Sequence, residues 1–304
     1  MGVGVNELRA LALGKRLELL QLDRTVTLGR QQLFLSESDY DQLFKIPVVN
    51  TVEFPPHGFA EPLLKSLDAS VVESIDANDY EGASIITDFN KPLEYEHHGK
   101  FTSFIDFGAI EHIFDSRQVI LNINKILRTS GSVLICTLAN GFVGHGFYQF
   151  SPEFFYSTFS PVNGFTETIV ILIDLNRPEN WHYVKSPIAL QDRNHTPNKK
   201  YYILCFTKKI STVEEIVAQQ SDYVNLLWTQ KECKYALPPK PAKTSIKRGI
   251  KTFCFRRSPT LLQDLWTHYR DERRSVESFA RQTVTFNPDS VSKQDLRAIA
   301  FNSS

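Results

Sequence analysis

The chain has 304 residues, of which 42% are hydrophobic and 22% charged, as in an ordinary globular protein with a sizeable core. Its 34 basic and 34 acidic residues give a formal net charge of zero, so the overall balance favours neither nucleic acid nor an anionic membrane as a partner. The four cysteines lack the spacing of a metal site. The four are Cys136, Cys205, Cys233 and Cys254. The first two lie in apolar, strand-like segments, where we expect buried free thiols rather than disulfides, and this favours a reducing compartment.

The first 22 residues predict a short amphipathic helix. Leu8, Leu11, Leu17 and Leu20 fall on roughly one helical face, so we expect this helix to cover the edge of a domain. The segment has neither the cationic start of a secretion signal nor an apolar run of the roughly 18 to 20 residues that a membrane span needs. The sequence therefore predicts a cytoplasmic protein without a membrane span.

Short apolar segments of strand length follow at steady intervals along the chain. Segments of helical pattern lie between them at residues 58–67 and 116–127, and the Ser130-Gly131 pair is expected to stop the second helix. Strands that alternate with helices favour a mostly parallel sheet covered on both faces. The predicted strands are residues 24–29, 70–76, 83–89, 101–108, 131–139, 167–175 and 200–208.

The composition changes near Ser211, which divides the chain into a domain of residues 1–210 and an extension of residues 211–304. Ser211 and Glu214 have the spacing of a capping box and predict a helix of about 20 residues. A segment rich in proline and lysine near residues 237–251 predicts an exposed connector. A further helix is expected to begin at Ser258-Pro259. We expect a helical extension that packs on the domain or joins two copies as a homodimer.

Three of the predicted strands end in an aspartate, namely Asp76, Asp88 and Asp106. In an open parallel sheet, ligands bind beyond the carboxyl ends of the strands, so these residues are candidate ligand contacts. A local role remains open for two of them. Asp76 could cap a helix or form a turn, and Asp88 could form an Asx-turn with the residues that follow it.

Three segments of the chain resemble consecutive parts of class I S-adenosylmethionine-dependent methyltransferases. Residues 85–115 contain an acidic residue after one strand, then another strand and the Glu111-His112 pair. Residues 122–140 resemble the helix, turn and strand that follow in this family. Residues 144–160 resemble a downstream segment with a histidine and a Phe-Ser-Pro-Glu helix start. The resemblance covers roughly residues 20–210. It implies a Rossmann-like α/β fold with helices on both faces of a seven-stranded, mostly parallel sheet whose last strand is antiparallel.

The resemblance also implies S-adenosyl-L-methionine as the cofactor and assigns it contacts. Gly29 would lie under the cofactor, Asp76 would bind both ribose hydroxyls, and Asp88 would bind the adenine amino group while Phe89 packs on the ring. Asp106 and Gly108 would lie near the methionine end of the cofactor.

The loop after the first strand departs from the family's pattern. It reads Leu28-Gly29-Arg30-Gln31, with one glycine where the family has three, and 47 positions separate Gly29 from Asp76. Arg30 is a candidate partner for the methionine carboxylate of the cofactor, since a guanidinium forms charge-assisted hydrogen bonds with carboxylates.

The candidate catalytic residues are His145, His112 and Glu111. His145 lies between two glycines in the loop after the predicted fifth strand, and a histidine titrates near pH 7, as suits a base for a hydroxyl acceptor. A structural interpretation stays open for all three. His145 could bond a backbone carbonyl, Glu111 could favour a helix N-terminus, and His112 could be a surface residue. If a helix begins at Glu111-His112, the two side chains point about 100° apart, so only one of them should face the pocket. Asn140, Tyr148 and Gln149 are candidate substrate contacts.

We therefore expect metal-independent methyl transfer to an oxygen of a small-molecule or glycan-linked acceptor. Glu94, Glu96, His97 and His98 include metal-binding residue types, but near neighbours in sequence rarely converge on one ion. Two alternatives remain open. One is a catalytically silent binding protein with the same fold, which the single glycine favours. The other is a nicotinamide-dependent reductase, which is disfavoured because no Gly-x-Gly-x-x-Gly motif follows the first strand.

Overall fold

The computed structural model of the chain describes residues 2–36, 39, 58–186, 199–220, 279–280 and 283–301. Within these ranges the α-helices are α1 Val5–Arg16, α2 Glu61–Ser66, α3 Ser116–Ile126, α4 Pro152–Thr158 and α5 Lys293–Phe301. The strands are β1 Gly2–Val3, β2 Arg24–Leu28, β3 Gln32–Leu33, β4 Val71–Asp76, β5 Ile85–Ile86, β6 Phe101–Phe107, β7 Leu127–Asn140, β8 Phe165–Asp174, β9 Trp181–Val184, β10 Tyr201–Lys209 and β11 Thr283–Phe286.

Nine of these strands form one sheet with the order β5-β4-β2-β6-β7-β10-β8-β9-β11. The first five strands in this order are parallel to one another. β10 is antiparallel to both of its neighbours, β7 and β8. This is a Rossmann-like arrangement, and the seven predicted strands are all present in it.

The predicted number of seven strands is wrong, because β9 and β11 extend the sheet beyond β8. Both strands have only four residues. Strands this short have too few positions for a clear apolar alternation, and their conformation depends on pairing with the edge of an existing sheet. β1 and β3, with two residues each, form a separate parallel pair.

The core lies in two layers, one on each face of the sheet. α1 and α2 pack on one face, and α3 and α4 pack on the other. Alternate residues of a strand point to opposite faces, so Leu134 and Cys136 of β7 belong to the first layer and Val133 and Ile135 to the second. The prediction of helices on both faces is confirmed, and the thiols of Cys136 and Cys205 are free and buried.

The N-terminal helix differs from its prediction in length and in place. α1 ends at Arg16, and its Leu8 and Leu11 are fully buried on a face of the sheet, whereas we expected a longer helix that covers an edge. Gly14 allows this close packing, because a Cβ atom there would lie 2.5 Å from Leu20 and 2.8 Å from Phe206.

α3 agrees closely with its prediction, and Asp115 caps it by accepting a hydrogen bond from the Gln118 amide at 2.9 Å. The turn expected at Ser130-Gly131 is wrong. β7 begins directly after α3 at Leu127 and includes both residues, with Ser130 in the left-handed region at φ 68° and a register shift against β6. The pairing of β7 with β6 and β10 outweighs the local preference of the Ser-Gly pair for a turn.

The C-terminal region contributes a strand to the sheet in addition to a helix. Residues 211–220 are not helical, although the capping-box spacing predicts a helix there. The carboxylate of Glu214 pairs with Lys125 at 2.6 Å and does not cap a backbone turn. The predicted connector at residues 237–251, Cys233 and Cys254 lie outside the described residues. So does the predicted helix from Ser258, except for residues 279–280, which are helical. Among the described residues, each helix is too short or too polar to cross a membrane.

Candidate functional site

The direction of the chain across the sheet reverses between β2 and β6. From β2 the chain runs outward through β4 and β5, then returns to β6 and continues through β7 on the other side. A crevice opens at the carboxyl ends of strands at such a point. Gly29 follows β2 with φ 70°, and Gly108 follows β6 with φ 89°. Both lie in the left-handed region, which glycine adopts without steric strain.

A cavity of about 440 Å³ lies beyond the carboxyl ends of β6 and β7. Its walls come from the strand ends, from the loop after β7 and from the N-terminal segment, and Gly108 is part of them. The side chains with polar or ionisable groups that line it are Glu7, Glu111, His112, Cys136, Thr137, His145 and Tyr202.

Glu111 is the best anchored of these groups. It lies in the one-turn 3₁₀ helix Ile110–His112 and is 1% exposed. The hydroxyl of Thr137 on β7 donates to its Oε2 at 2.7 Å. Its Oε1 lies 4.0 Å from Nε2 of His145, whose side chain is half exposed. The backbone oxygen of Glu111 accepts a hydrogen bond from Phe147 at 2.7 Å, which fastens the loop that carries His145.

His112 lies beside His145 at the exposed rim of the cavity. Their ring centroids are 4.9 Å apart in an edge-to-face arrangement. One carboxylate oxygen of Glu111 and one ring nitrogen from each histidine lie within 4.8 Å of one another. Glu111 and His112 both line the cavity, so the expectation that only one of them faces it is wrong. The side chain of Glu111 points toward β7 and that of His112 lies at the rim. The cavity is wide enough for both side chains to line it.

Glu7 also lines the cavity, although it was not predicted from the sequence. It lies on α1 and is 9% exposed, and its Oε2 accepts a hydrogen bond from the Gly4 amide at 3.0 Å. The thiol of Cys136 points to its Oε1 at 3.6 Å. Burial raises the pKa of Glu7, and burial together with the charge of Glu7 holds the pKa of Cys136 well above its usual value. The sequence signal was an acidic residue one turn before Leu11 on the apolar face of the helix.

Asp76 and Asp88 both make local turns. Oδ1 of Asp76 accepts a hydrogen bond from the Asn78 amide at 3.3 Å. Oδ1 of Asp88 accepts from the backbone and side-chain nitrogens of Asn90 at 3.0 and 2.9 Å, and these bonds lower the pKa of Asp88. Neither aspartate is among the residues that line the cavity. The structure thus realises the local role that the sequence left open for each.

Asp106 is fully buried at the end of β6. Its two carboxylate oxygens accept hydrogen bonds from the amides of Ala109 and Ile110 at 2.8 and 3.2 Å, and so hold the turn that leads to Glu111. Burial, followed by the nearby charge of Glu111, raises the pKa of Asp106 well above its usual value. Asp106 is therefore a support for the site and not an exposed ligand contact.

Two further predicted cofactor contacts have other partners. Arg30 forms an ion pair with Glu61 of α2 at 2.6 Å, and its guanidinium lies 3.8 Å above the ring of Phe59. Arg30 thus joins the loop after β2 to α2. The ring of Phe89, which was expected to pack on adenine, is buried and stacks on Phe104 at 6.0 Å between centroids.

The predicted substrate contacts shape the loop beyond β7. Asn140 donates to the backbone of Lys199 at 2.8 Å, the hydroxyl of Tyr148 donates to Phe114 at 2.6 Å, and Gln149 accepts from Phe142 at 2.9 Å. Asn140, Tyr148 and Gln149 are not among the residues that line the cavity, whereas Phe142 is.

A second group of metal-binding residue types lies in the loop before β6. Ligand atoms of Glu94, Glu96 and His97 lie within 4.8 Å of one another, although the three are near neighbours in sequence. Both glutamates are exposed, and Nε2 of His97 lies 3.4 Å from Glu96. Nε2 of His98 lies 3.1 Å from the backbone oxygen of Leu93.

No protein-family model and no curated protein matches the chain. Solved structures similar to it include a 1,6-didemethyltoxoflavin N1-methyltransferase from Burkholderia thailandensis bound to S-adenosylhomocysteine (10% identity, 68% of this chain and 79% of that chain, TM-score 0.39). A possible histamine N-methyltransferase from Thermotoga maritima is 16% identical over 68% of this chain and 91% of that chain, with a TM-score of 0.33. The [4+2]-cyclase SpnF is 10% identical over 67% of this chain and 80% of that chain, with a TM-score of 0.38. These similarities are too low to assign a function to this chain, so its own residues have to indicate one.

Proposed function

We propose that the chain is a class I S-adenosylmethionine-dependent methyltransferase whose acceptor occupies the cavity beyond β6 and β7. The observation that carries the proposal is the position of this cavity, beside the point where the strand order reverses and at the carboxyl ends of parallel strands. The five parallel strands followed by an antiparallel β10 agree with the fold that the sequence resemblance implies. The Glu111-His112 pair of that resemblance lines the cavity.

The cofactor would bind across the carboxyl ends of β2 and β6. Gly29 and Gly108 lack side chains there and leave room for a ligand to approach the backbone. Asp76 would accept hydrogen bonds from the ribose hydroxyls, and Asp88 would accept one from the adenine amino group. Asp106 would act by holding the turn after β6. We do not include Arg30, which would have to leave Glu61, or Phe89, whose ring lies in the core.

The reaction is an in-line displacement at the methyl carbon of the sulfonium. A hydroxyl oxygen of a small-molecule or glycan-linked acceptor forms the new bond to carbon while the carbon–sulfur bond breaks. S-adenosylhomocysteine leaves with the electron pair, and the hydroxyl proton passes to a base. His145 is our candidate base, and the carboxylate of Glu111, 4.0 Å away, would stabilise the imidazolium that forms. Positioning of the two reactants supplies most of the rate.

A catalytically silent protein of the same fold is the second candidate function. The loop after β2 favours it for two reasons. The loop has a single glycine where the family has a glycine-rich turn, and the two residues of β3, which lie just beyond it, pair with β1. A protein of this kind would bind the cofactor or a related nucleoside without transferring a methyl group.

The cofactor assignment is tested by calorimetry of S-adenosylhomocysteine binding to the full chain. Asp76→Ala should raise Kd about tenfold or more, because a hydrogen bond to a charged group contributes about 1.5–3 kcal/mol and 1.4 kcal/mol is a factor of ten. Asp79→Ala is the matched control, since Asp79 lies three residues away in the same turn and should leave Kd unchanged. Absence of binding, or an equal effect of both substitutions, would contradict the assignment.

Turnover separates the two candidate functions. Transfer of a labelled methyl group from S-adenosyl-L-methionine is measured with a panel of small-molecule and glycan-linked hydroxyl acceptors. His145→Ala should lower the rate by about a hundredfold or more, as loss of a general base does, without a change in Kd for S-adenosylhomocysteine. Tight cofactor binding without transfer to any acceptor would favour the silent protein.

A further inference from the structure

Glu111, His112 and His145 together offer the donor set of a metal site. Two imidazoles and one carboxylate are the protein ligands of many catalytic zinc sites, in which a fourth position stays open to water or substrate. The three ligand atoms lie within 4.8 Å of one another at the wall of the cavity. They come from two segments of the chain, the 3₁₀ helix after β6 and the loop after β7, which the fold brings together.

The carboxylate of Glu111 is already oriented for such a role. The Thr137 hydroxyl occupies Oε2, and Oε1 is the oxygen nearest to His145. A hydrogen bond of this kind to a ligating carboxylate is common in metal sites and fixes its orientation. The side chain is almost fully buried, so it cannot turn outward to water.

The loop that carries His145 is held against Glu111. The Phe147 amide bonds to the backbone oxygen of Glu111, and Gly146 makes this approach possible because a Cβ atom there would lie 2.8 Å from the same oxygen. His145 therefore keeps its place beside Glu111, while its exposed ring can still rotate.

Only a small movement would complete the coordination. Zinc bonds of about 2.0–2.2 Å at tetrahedral angles place neighbouring ligand atoms about 3.4 Å apart. Nε2 of His145 and Oε1 of Glu111 are 4.0 Å apart. All three ligand atoms lie within 4.8 Å of one another, so shifts of at most about 1.4 Å would complete the coordination, and rotation of the exposed His112 and His145 rings can supply them.

We propose that Glu111, His112 and His145 bind one divalent transition-metal ion, for which Zn²⁺ is the best match to the ligands. The binding itself stands on the geometry alone. Its role in catalysis rests on the proposed function: the ion would leave one position open to the acceptor hydroxyl and would lower the pKa of that hydroxyl, so that its proton could pass to water. In the metal-bound protein His145 would be a ligand of the ion. It would act as a base only in the metal-free protein. The proposal departs from the metal-independent reaction expected from the sequence.

The test measures Zn²⁺ bound to the metal-stripped full chain by equilibrium dialysis. One ion per chain is expected, and His145→Ala and His112→Ala should each raise Kd at least tenfold. The control is His97→Ala, which removes a histidine from the group at residues 94–97 and should leave this Kd unchanged. Thr137→Val keeps the shape of the buried wall and should raise Kd about 10- to 100-fold, as loss of a partner of a ligating residue does.

Cobalt(II) serves as a spectroscopic probe of the same site. Co²⁺ added to the stripped chain should give visible absorption of a four- or five-coordinate ion, and His145→Ala should abolish it. The proposal is overturned if Zn²⁺ does not bind, if His97→Ala has the same effect as His145→Ala, or if His145→Ala has none. Calorimetry of S-adenosylhomocysteine with the stripped chain keeps the two proposals apart. If S-adenosylhomocysteine binds and Zn²⁺ does not, only the metal site is overturned.

Discussion

Two sets of acidic residues end or follow neighbouring strands of the same sheet, and their surroundings differ. Asp76 and Asp88, after β4 and β5, are partly exposed and bond to nitrogens two residues away in the chain. Asp106 and Glu111, after β6, are buried, and Glu111 bonds to Thr137, which is 26 positions away. The difference comes from what packs around each strand end: α1 and the loop after β7 enclose the end of β6. An acidic residue at a strand end thus indicates a ligand contact only once its neighbours are known.

The largest expected effect is on the free energy of unfolding, in which the buried and the exposed set should differ. Asp106→Ala should lower the free energy of unfolding by about 3 kcal/mol, because two buried backbone amides lose their acceptor at about 1–3 kcal/mol each. Asp88→Ala should lower it by less than about 0.5 kcal/mol, as is usual at an accessible site. Urea unfolding followed by circular dichroism measures both values.

Asp106→Asn is the conservative control for this comparison, since its amide oxygen retains one acceptor and its loss of stability should be smaller. If Asp106→Ala and Asp88→Ala were equally destabilising, the hydrogen bonds of Asp106 to the turn after β6 would not stabilise the fold as we expect.

A smaller effect is expected from the loop that carries His145. Gly146→Ala should lower the free energy of unfolding by about 1 kcal/mol, because Gly146 has φ 66° and its Cβ atom would lie 2.8 Å from the Glu111 oxygen. Gly144→Ala should be nearly neutral, since a Cβ atom there would meet no atom within 4 Å. Urea unfolding and hydrogen exchange of the Phe147 amide measure the two effects. Equal exchange rates in both variants would show that the loop is not held at Glu111.

The smallest effect concerns the pH dependence of Glu7. Burial raises its pKa in the folded state, so the folded chain holds this proton more tightly than the unfolded chain. The stability that Glu7 contributes is therefore complete below the ordinary pKa of an unfolded glutamate and is lost as pH rises through its raised folded pKa. Glu7→Gln lacks this dependence while it keeps an acceptor for the Gly4 amide.

The measurement compares the free energy of unfolding of the wild-type chain and of Glu7→Gln at a series of pH values from about 4 to about 8. The wild-type chain should lose stability relative to the variant as pH rises. A difference that does not change with pH would mean that the carboxyl group of Glu7 meets water.

Much of the α/β pattern could be predicted from the sequence, because a buried parallel strand needs a continuous apolar run and an amphipathic helix needs apolar residues on one face. The strand at residues 101–107 and the helix at residues 116–126 were predicted almost to the residue. The helix from Ser211 was not, because the backbone amides of Val213 and Val217 donate to the buried side chains of Asn124 and Asn163 at 3.0 and 2.8 Å, outside any helical turn.

The candidate site was predicted only in part, and the reason is again physical. Glu111, His112 and His145 were identified as candidates from their residue types and their place after predicted strands. Their mutual distances could not be predicted, because they depend on how the loop after β7 folds back onto the 3₁₀ helix. Glu7 was missed since it lies more than a hundred positions from Cys136, its partner in the cavity.

The sequence by itself determined the strand rhythm, the helices on both faces and the acidic residues at the carboxyl ends, because these depend on local apolar patterns and on chain direction. Tertiary structure decided the two added edge strands, the face on which α1 packs and the surroundings of each acid. It also decided that Glu111 meets two histidines at a cavity. Burial and long-range pairing set these features, and neither is encoded in a short segment of the chain.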